Sequence, residues 1–310
     1  MKTFFQQPAI DKVPEKHPIE SEMTFNSDEL KLSGTVHTPA EQRLSERRPA
    51  ILVLHGFGGN RWGHGTIVIA RQLGDWGYVT MCFDFRGCDE IEDEHGHILC
   101  FDQVADTSNA MSYMAGRPEV DPDRITLVGS SFGAAVAIYT GGADQRVATV
   151  LSVGGWGDGK RQFRRQHPTA ETWARFTVML EEGRRTHERT GKSLMVPRFD
   201  IVPIPLRLRG RMSQGSIMEF PAETAQSMCD FRADDMVEKF ASRSLLFLHS
   251  ANDSVTPTAE SIELFRWARQ PAELHLLSDV DHFTLNEEKQ RLTRIVAGWL
   301  ARYSPVHKDP

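Results

Sequence analysis

The sequence predicts an α/β fold with a mostly parallel central sheet and antiparallel N-terminal strands. Short, nearly continuous apolar runs recur along the chain with helix-like segments between them, which is typical of parallel strands covered by helices on both faces. Near the N-terminus, apolar and polar residues instead alternate on either side of a turn at residues 26–28. This second pattern predicts a hairpin that runs from Met23 to Val36.

Six apolar runs are the predicted strands of the parallel region. They are Ile51 to His55, Val79 to Asp84, Ile125 to Val128, Val147 to Val153, Leu245 to His249 and Leu274 to Leu277. No sheet strand is expected between Gly155 and about Arg243, although a crossover between parallel strands needs only about a dozen residues. We interpret this stretch as an inserted cap. Its expected elements are helices over Trp173 to Leu180 and Pro221 to Asp230, and an extended or irregular segment over Pro197 to Pro205.

The predicted organisation follows from this interruption. An N-terminal arm over residues 1–22 precedes an α/β core made of residues 23–155 and 240–303. The cap occupies residues 156–239, and a C-terminal tail covers residues 304–310. An insertion at this place would cover the C-terminal ends of the strands, where ligands bind in open α/β sheets.

Composition excludes several classes of protein. The 310 residues are 40% hydrophobic and 25% charged, as in a globular protein rather than a disordered or fibrous one. A formal net charge of -6 gives no electrostatic basis for nucleic acid or an anionic membrane as a partner. The N-terminus shows no apolar signal segment, and no run approaches the roughly 18 apolar residues of a membrane span. We therefore expect a cytoplasmic protein.

The four cysteines predict neither a disulfide framework nor a metal site. Cys82, Cys88, Cys100 and Cys229 form no CxxC pair and do not show the spacing of metal ligands. We expect reduced thiols that pack as small apolar residues. No metal and no cofactor are expected.

The most informative motif is Gly129-Ser130-Ser131-Phe132-Gly133, which lies between an apolar strand and a helix of small residues. A strand that turns into a helix within so few residues holds the central serine in strained geometry, with its Oγ raised above the sheet. The flanking glycines avoid Cβ atoms that would clash at this turn. The pattern predicts a nucleophile elbow with Ser131 as the nucleophile. Centring the motif on Ser130 would instead place large residues at the positions that must be small.

Two later loops hold the residues that a serine nucleophile requires. A serine hydroxyl needs a histidine to take its proton and a carboxylate to orient that histidine, in the chain order serine, acid, histidine. Asp253 follows the strand that ends near His249, and His282 follows the next predicted strand. These residues are the predicted acid and base. Asp279 and Asp281 are disfavoured as the acid because they are too close in sequence to His282.

The loop after the first parallel strand is the predicted source of an oxyanion hole. It reads His55-Gly56-Phe57-Gly58-Gly59-Asn60-Arg61. Acyl transfer develops negative charge on the carbonyl oxygen, and preplaced backbone amides can stabilise that charge without reorganising. One donor is expected to be the amide of Phe132, directly after the nucleophile, and the other the amide of Phe57. The glycine spacing matches neither a P-loop nor a dinucleotide-binding loop.

These motifs resemble those of the serine α/β-hydrolase superfamily over nearly all of residues 23–303. Segments 55–61, 84–87 and 129–133 are similar to bacterial cinnamoyl/feruloyl-esterase-like hydrolases and to the catalytic domains of prolyl-oligopeptidase-type and acylaminoacyl-peptidase-type enzymes. The resemblance implies an α/β-hydrolase fold. It also implies a triad of Ser131, Asp253 and His282 and an oxyanion hole formed by the amides of Phe57 and Phe132.

The cap is the predicted source of substrate specificity. Basic residues clearly outnumber acidic ones between Lys160 and Arg211. These arginines either pair with acidic groups of the core or of another subunit, or one or two of them bind a substrate carboxylate. Trp156 is the main candidate for an apolar pocket wall, with packing inside the cap as the alternative. The same two roles are open for Phe163, Trp173, Phe176 and Phe199.

Four further residues are weighed between a structural role and a role at the site. Arg86 either orders the loop after its strand through its fixed donors or contacts the substrate. His249 lies within an apolar strand, which favours a hydrogen-bonded core residue. His95 and His97 lie in a charged loop, either solvated or at the mouth of the substrate site.

The residues predict a serine hydrolase that cleaves a small carboxylic ester through an acyl-enzyme, with an aromatic acid or alcohol part as one option. The same triad could cleave a peptide or amide bond, or a carbon-carbon bond next to a ketone. A ligand-binding protein that keeps the fold without turnover is the third hypothesis. The expected partner is the small ester itself, with neither nucleic acid nor membrane, and a homodimer stays open.

Overall fold

The computed structural model describes residues 17–43, 46–88, 95–287 and 289–307. Residues 1–16 of the predicted arm, residues 89–94 of the charged loop and residues 308–310 of the predicted tail lie outside the described residues.

The chain alternates strands and helices on both sides of the cap. Before the cap, the elements are β1 (Ile19–Ser27), β2 (Leu30–Thr38), β3 (Arg48–Leu54), α1 (His64–Asp75), β4 (Val79–Phe83), α2 (Cys100–Ala115), β5 (Val120–Ser130), α3 (Phe132–Ala143) and β6 (Val147–Val153). The cap contains α4 (Gly159–Gln166), α5 (Ala170–Thr190), β7 (Met195–Pro197), α6 (Arg198–Ile201), α7 (Leu206–Arg209), β8 (Glu219–Pro221), α8 (Ala222–Asp230), α9 (Asp234–Val237) and a 3-10 turn (Glu238–Phe240). After it come β9 (Ser244–Ser250), α10 (Ala259–Trp267), β10 (Ala272–Leu277), α11 (Thr284–Glu287) and α12 (Lys289–Tyr303).

Eight of the described strands form one sheet in the order β1-β2-β4-β3-β5-β6-β9-β10. The pairs β1–β2 and β2–β4 are antiparallel, and the other neighbouring pairs are parallel. This confirms the predicted mostly parallel sheet with antiparallel N-terminal strands. Each of the six predicted parallel strands coincides with one of these strands, and β6 has the predicted bounds.

Helices cover both faces of the sheet. Leu52 and Leu54 of β3 belong to the apolar core beneath α2 and α3, whereas Ile51 and Val53 belong to the core beneath α1 and α12. Successive side chains of a strand point to opposite faces, so an uninterrupted apolar run fits a strand that is buried on both. This explains why the parallel strands could be recognised from composition alone.

The first strand starts earlier than the sequence indicates. β1 begins at Ile19 rather than Met23, and residues 19–22, predicted as part of the arm, pair with β2. Its first four residues are all exposed at the edge of the sheet, so they show no apolar alternation.

The cap contains a small sheet of its own. Strands β7 and β8 pair antiparallel, and none of the described cap residues joins the main sheet. The sequence did not predict this pair because strands of three residues are too short to show a periodicity, and both contain proline. The segment predicted as extended or irregular also holds the short helix α6. Helices α5 and α8 cover the two predicted cap helices.

The longest helix of the cap is α5, with 21 residues. Its outer face carries ion pairs between Glu181 and both Arg184 and Arg185. No helix in the described part of the chain combines the length and the apolar character needed to cross a bilayer.

Candidate active site

Ser131 occupies the sharp turn between β5 and α3. Its backbone φ of 54° lies in a region that residues other than glycine rarely adopt, so the turn is strained. A Cβ atom on Gly129 would lie 2.2 Å from the carbonyl oxygen of Gly133, and one on Gly133 would lie 2.4 Å from the carbonyl oxygen of His55. Strand, turn and helix therefore fit together only because both flanking positions lack a side chain.

The structure brings Ser131, His282 and Asp253 into one hydrogen-bonded chain. Nε2 of His282 lies 3.0 Å from Oγ of Ser131. On the other side of the ring, Nδ1 lies 2.9 Å from Oδ2 and 3.1 Å from Oδ1 of Asp253. The three residues follow β5, β9 and β10, whose carboxyl ends meet at one edge because these strands are parallel. With Nδ1–H directed at the carboxylate, Nε2 can accept the serine proton.

The side chain of Asp253 is completely buried and surrounded by donors. Its Oδ1 accepts the backbone N–H groups of Val255 and Thr256, each at 2.8 Å, and its Oδ2 lies 3.3 Å from Nε2 of His249. Burial alone would raise the pKa of Asp253, but His282 and His249 outweigh it and hold that pKa well below its usual range. The carboxylate therefore stays ionised at any pH near neutrality.

The pKa of His282 is shifted in the opposite direction to that of Asp253. Burial opposes its protonation, but the adjacent Asp253 carboxylate outweighs this effect and raises the pKa of His282 above its ordinary value of 6.5. A base with such a pKa is neutral above that value and can still hold the proton that it takes from a hydroxyl.

His249 is a second histidine at the same carboxylate. Its Nδ1 lies 2.6 Å from Oγ of Ser261, and its Nε2 lies 3.0 Å from the carbonyl oxygen of Thr256. Because Nε2 faces only acceptors, Thr256 and Asp253, it carries the proton, and the Ser261 hydroxyl donates to Nδ1. The sequence indicated a hydrogen-bonded core residue here but gave no sign of the contact with Asp253.

Asp281 organises the loop that carries His282. Its Oδ1 accepts the N–H groups of Ser254 and His282, each at 2.8 Å. Its Oδ2 lies 2.6 Å from the guanidinium of Arg207 in the cap. The imidazole ring therefore meets Asp253, whereas the neighbouring aspartate holds the loop backbone.

The two residues predicted to supply the oxyanion donors line the same cavity as Ser131. Phe132 is the first residue of α3, so its N–H has no partner within the helix. A Cβ built on Gly56, which precedes Phe57, would lie 3.6 Å from Cβ of Ser131, so this backbone lies against the nucleophile. Within the described structure, no acceptor pairs with the N–H of Phe57 or of Phe132. Both amides are available to a substrate oxygen.

Buried polar side chains hold the loop that carries Phe57. Nδ1 of His55 lies 2.9 Å from the carbonyl oxygen of Gly56, and its Nε2 accepts the N–H of Phe85. Burial lowers the pKa of His55, in keeping with a neutral ring whose Nε2 accepts. Arg61 donates both its backbone N–H and its guanidinium to Asp84. The loop is thereby fixed at both ends.

A cavity of about 100 Å³ opens at Ser131. It is small beside the roughly 300–1,000 Å³ of many ligand sites. Trp156, predicted to line the pocket, forms part of its wall and is 1% exposed. The cap also contributes Gln162, Arg198 and Met228, so the wall is shared between the core and the cap.

The other aromatic candidates pack inside the cap. The rings of Phe163 and Phe176 stack at 4.9 Å, and Trp173 stacks on Phe176 at 5.7 Å. These three residues and Phe199 are absent from the described lining of the cavity at Ser131. Their spacing therefore reflects cap packing.

Arg86, weighed between ordering its loop and contacting the substrate, is absent from the described lining of the cavity. Its guanidinium instead lies 2.6 and 2.8 Å from Oδ1 of the buried Asp106 and 2.8 Å from Asp28, and its backbone N–H also bonds Asp106. These contacts support the first of the two roles, which is to order the loop after β4. The Arg86 guanidinium thus pairs with Asp106 of α2 rather than with a group at the cavity.

Several cap arginines pair with carboxylates of the core. Arg161 and Arg165 lie 2.7 and 2.5 Å from the carboxylate of Glu260, which is completely buried in α10. Arg207 pairs with Asp281, as described above. Arg198 and Arg211 both line the cavity. That a cap arginine binds a substrate carboxylate stays a prediction.

Neither histidine of the charged loop lies at the cavity: His95 and His97 are absent from its described lining. The four cysteines are buried, and none of them forms a disulfide in the described structure. Among the described residues, no group of three or more histidine, cysteine, aspartate or glutamate side chains is arranged to hold a metal ion.

Comparison with known proteins agrees with this architecture. The chain is 28% identical over 145 residues to the quorum-quenching protein AidA of Acinetobacter baumannii, a match that covers 46% of this chain and 45% of that protein. A solved hypothetical protein from Pseudomonas aeruginosa superimposes with a TM-score of 0.80 at 18% identity, over 98% of this chain and 99% of that one. An acetyl xylan esterase from Paenibacillus sp. R4 superimposes with a TM-score of 0.63 at 18% identity, over 95% of this chain and 87% of that one.

The family match covers most of the chain. Residues 51–295 fit the model of the alpha/beta hydrolase family. This range runs from β3 to α12 and includes the elbow, both oxyanion-loop candidates and the loops of Asp253 and His282. The fold and the resemblance predicted from the motifs are thereby confirmed. The chain belongs to the alpha/beta hydrolase family.

Proposed function

We propose that this protein is a serine hydrolase that cleaves a carboxylic ester through an acyl-enzyme. The proposal is carried by the hydrogen-bonded chain from Oγ of Ser131 through His282 to the buried Asp253 carboxylate. A serine hydroxyl is a weak nucleophile until an oriented base removes its proton, and this chain supplies that base and its orientation.

In the first half of the reaction, Oγ of Ser131 attacks the ester carbonyl while Nε2 of His282 takes its proton. Asp253 keeps the ring oriented and stabilises the imidazolium that forms. The N–H groups of Phe57 and Phe132 donate hydrogen bonds to the oxyanion. His282 then donates its proton to the leaving alcohol, and the acyl group stays on Ser131. In the second half, His282 activates a water molecule that releases the acid.

The small cavity favours a small acyl or alcohol part, because a volume of about 100 Å³ leaves little room beyond the reacting group. Likeness to a solved acetyl xylan esterase supports an ester as the substrate. An aromatic part remains an option, with the indole of Trp156 as its apolar wall.

The proposal is tested with Ser131→Ala. We expect this variant to fold normally, to lose turnover of p-nitrophenyl acetate and p-nitrophenyl butyrate, and to lose labelling by a fluorophosphonate probe. Ser130→Ala is the matched control, because it changes the neighbouring serine of the same motif and should keep the label. Mass mapping of the label to a residue other than Ser131 would overturn the assignment.

A substrate panel then separates the bond types that one triad can cleave. Aryl esters, aminoacyl amides and β-diketone-like compounds are compared by kcat/KM in the wild type. Preference for the aryl esters is expected. Turnover of the diketones or amides alone would contradict the esterase assignment while leaving Ser131 as the nucleophile.

A further inference from the structure

Arg198 is a buried cation at the junction of the cap and the catalytic loop. It is the first residue of α6, is 6% exposed and lines the cavity that holds Ser131. Its guanidinium lies over the rings of Phe57 and Phe220, at 5.3 and 5.9 Å from their centroids. The cap thus places a positive charge beside the loop that carries the predicted oxyanion donor.

The hydrogen bonds of Arg198 all go to backbone carbonyls. One terminal nitrogen donates to Gly58, at 3.3 Å, and to Ile217, at 2.8 Å, and the other donates to Phe57. The buried Nε has no hydrogen-bond partner in the described structure. Two of these bonds hold the peptide groups that directly follow the Phe57 amide.

No carboxylate balances this charge among the described residues. Arg48, the other arginine buried to this degree in the described chain, lies 2.9 Å from Glu46. Arg161 of the cap has both Glu260 and Asp234. The guanidinium of Arg198 bonds only to carbonyl groups among the described residues. No aspartate or glutamate belongs to the described lining of the cavity. A buried charge is costly unless a counter-charge is near, so an unbalanced arginine at a reaction site calls for a functional account.

The guanidinium keeps its charge at neutral pH. Burial lowers the pKa of Arg198 to about 10, which still leaves it protonated near pH 7. Burial also lowers the pKa of His55, and the Arg198 charge adds in the same direction. Its field therefore reaches the start of the catalytic loop.

From this geometry we infer that Arg198 is a positioning residue for the oxyanion hole, and that the missing counter-charge is the oxyanion of the reaction itself. By binding the carbonyls of Phe57 and Gly58, Arg198 fixes the turn that presents the Phe57 N–H to the substrate. Negative charge appears on the carbonyl oxygen only in the tetrahedral intermediate, so the interaction is stronger there than in the ground state. Such a difference raises kcat rather than lowering KM.

Three substitutions separate the charge of Arg198 from its hydrogen bonds. Arg198→Lys keeps the charge, Arg198→Gln keeps a neutral donor, and Arg198→Met removes both. For p-nitrophenyl acetate we expect kcat of the Met variant to fall about tenfold to a hundredfold, with KM changed by less than about threefold. The Lys variant should recover more of kcat than the Gln variant. Arg185→Met, which removes an exposed cap arginine paired with Glu181, is the control and should keep the wild-type kcat.

A second readout distinguishes positioning from a general loss of structure. Phenylboronic acid binds a serine hydrolase as an anionic tetrahedral adduct, so its affinity should fall across the Arg198 variants in the same order as kcat. Wild-type kcat in Arg198→Met, equal kcat in the Lys and Gln variants, or unchanged boronate affinity would overturn the inference. If the Met variant does not fold, the Lys and Gln pair, checked by thermal unfolding, decides the question.

The inference rests on the proposed function, and the two can fail separately. Fluorophosphonate labelling of Ser131 develops negative charge in the same oxyanion hole without ester turnover. Its rate is therefore an independent measure of that hole. A wild type that is labelled but hydrolyses no ester would remove the esterase proposal alone. Slower labelling of Arg198→Gln than of Arg198→Lys would then still support the role of Arg198, and equal rates would overturn it.

Discussion

At the scale of single residues, the ionisation of Asp253 sets the protonation of the whole site. Two backbone N–H groups and two imidazoles surround its carboxylate, so it stays ionised where the enzyme would work. An ionised Asp253 keeps a proton on Nδ1 of His282, which leaves Nε2 as the acceptor for Ser131. The pH range of the reaction is then set by the second protonation of His282.

We expect activity to rise with pH through one ionisation that lies above 6.5. Although burial opposes protonation, Asp253 raises the pKa of His282, and only the neutral ring can accept the serine proton. Activity is therefore lost as the pH falls through this raised pKa. A profile of kcat/KM for p-nitrophenyl acetate, from about pH 5 to about pH 9, measures the inflection.

Fluorophosphonate labelling provides the control for this profile. It requires the same neutral His282 but no alcohol leaving group, so its rate should show the same inflection. An inflection below 6.5 in both measurements would contradict the balance of charges at His282.

Single-residue roles differ in how far the sequence predicts them. Ser131, Asp253 and His282 each follow an apolar strand in a fixed order, so a local pattern indicates each one and the topology brings them together. Arg198 meets Phe57 across 141 positions in the chain, and nothing local to either residue signals that contact. Sequence patterns thus indicate the three residues that the structure brings together, whereas the contact between Arg198 and Phe57 depends on the packing of the cap.

At the scale of elements, the strand-turn-helix unit of β5 and α3 is the most tightly constrained part of the fold. Helix α3 is built from small and apolar residues and is buried along nearly its whole length. Its first turn lies against the end of β3, with the Gly133 backbone close to the carbonyls of Leu54 and His55. A methyl group added at Gly133 would have to displace backbone atoms, which move less easily than a side chain.

Gly129→Ala should therefore abolish turnover and lower the melting temperature. The new Cβ would lie 2.2 Å from the Gly133 carbonyl oxygen, so the turn that holds Ser131 must shift. Gly298→Ala in α12 is the matched control, since a Cβ there meets nothing within 4 Å. Alanine in an exposed helix is favoured over glycine by up to about 1 kcal/mol, so this variant should be as stable as the wild type or more stable. Thermal unfolding and esterase assays of both variants test the prediction, and a fully active Gly129→Ala would refute it.

Elements were predictable where burial forced a pattern. The parallel strands are apolar on both faces, and α5 and α8 have helical spacing, so all of them were found. The exposed start of β1 at Ile19 and the three-residue strands β7 and β8 carry no such pattern. These last two are held by pairing with each other, which sequence periodicity does not encode.

At the scale of the whole molecule, a buried ion cluster ties the cap to the core. Glu260 of α10 is completely buried and accepts from Arg161 and Arg165 of α4. Its carboxylate also accepts the backbone N–H of Gly157, at the point where the chain leaves β6 for the cap. Removal of one partner of a buried pair leaves the other charge without compensation.

Glu260→Ala should lower the free energy of unfolding by about 3 to 5 kcal/mol, because both arginines lose a buried partner. Glu263→Ala on the same helix is the control, since Glu263 pairs with the largely exposed Arg266. This substitution should change the free energy of unfolding by less than about 1 kcal/mol. Urea unfolding monitored by tryptophan fluorescence measures both. Equal stability of the two variants would show that the cluster does not hold the cap in place.

The bond between Arg198 and the Phe57 loop also bears on how such enzymes can be recombined. Caps are attractive units to exchange between relatives, because a new cap could bring a new substrate pocket onto an unchanged core. Here the cap also supplies Arg198 to the loop carbonyls, and Ile217 donates its N–H to Gly58. A chimera that receives a foreign cap would lose these supports for the Phe57 loop together with the old pocket. Cap exchange in this protein therefore requires that residues 57–60 and their cap contacts be transplanted as one unit.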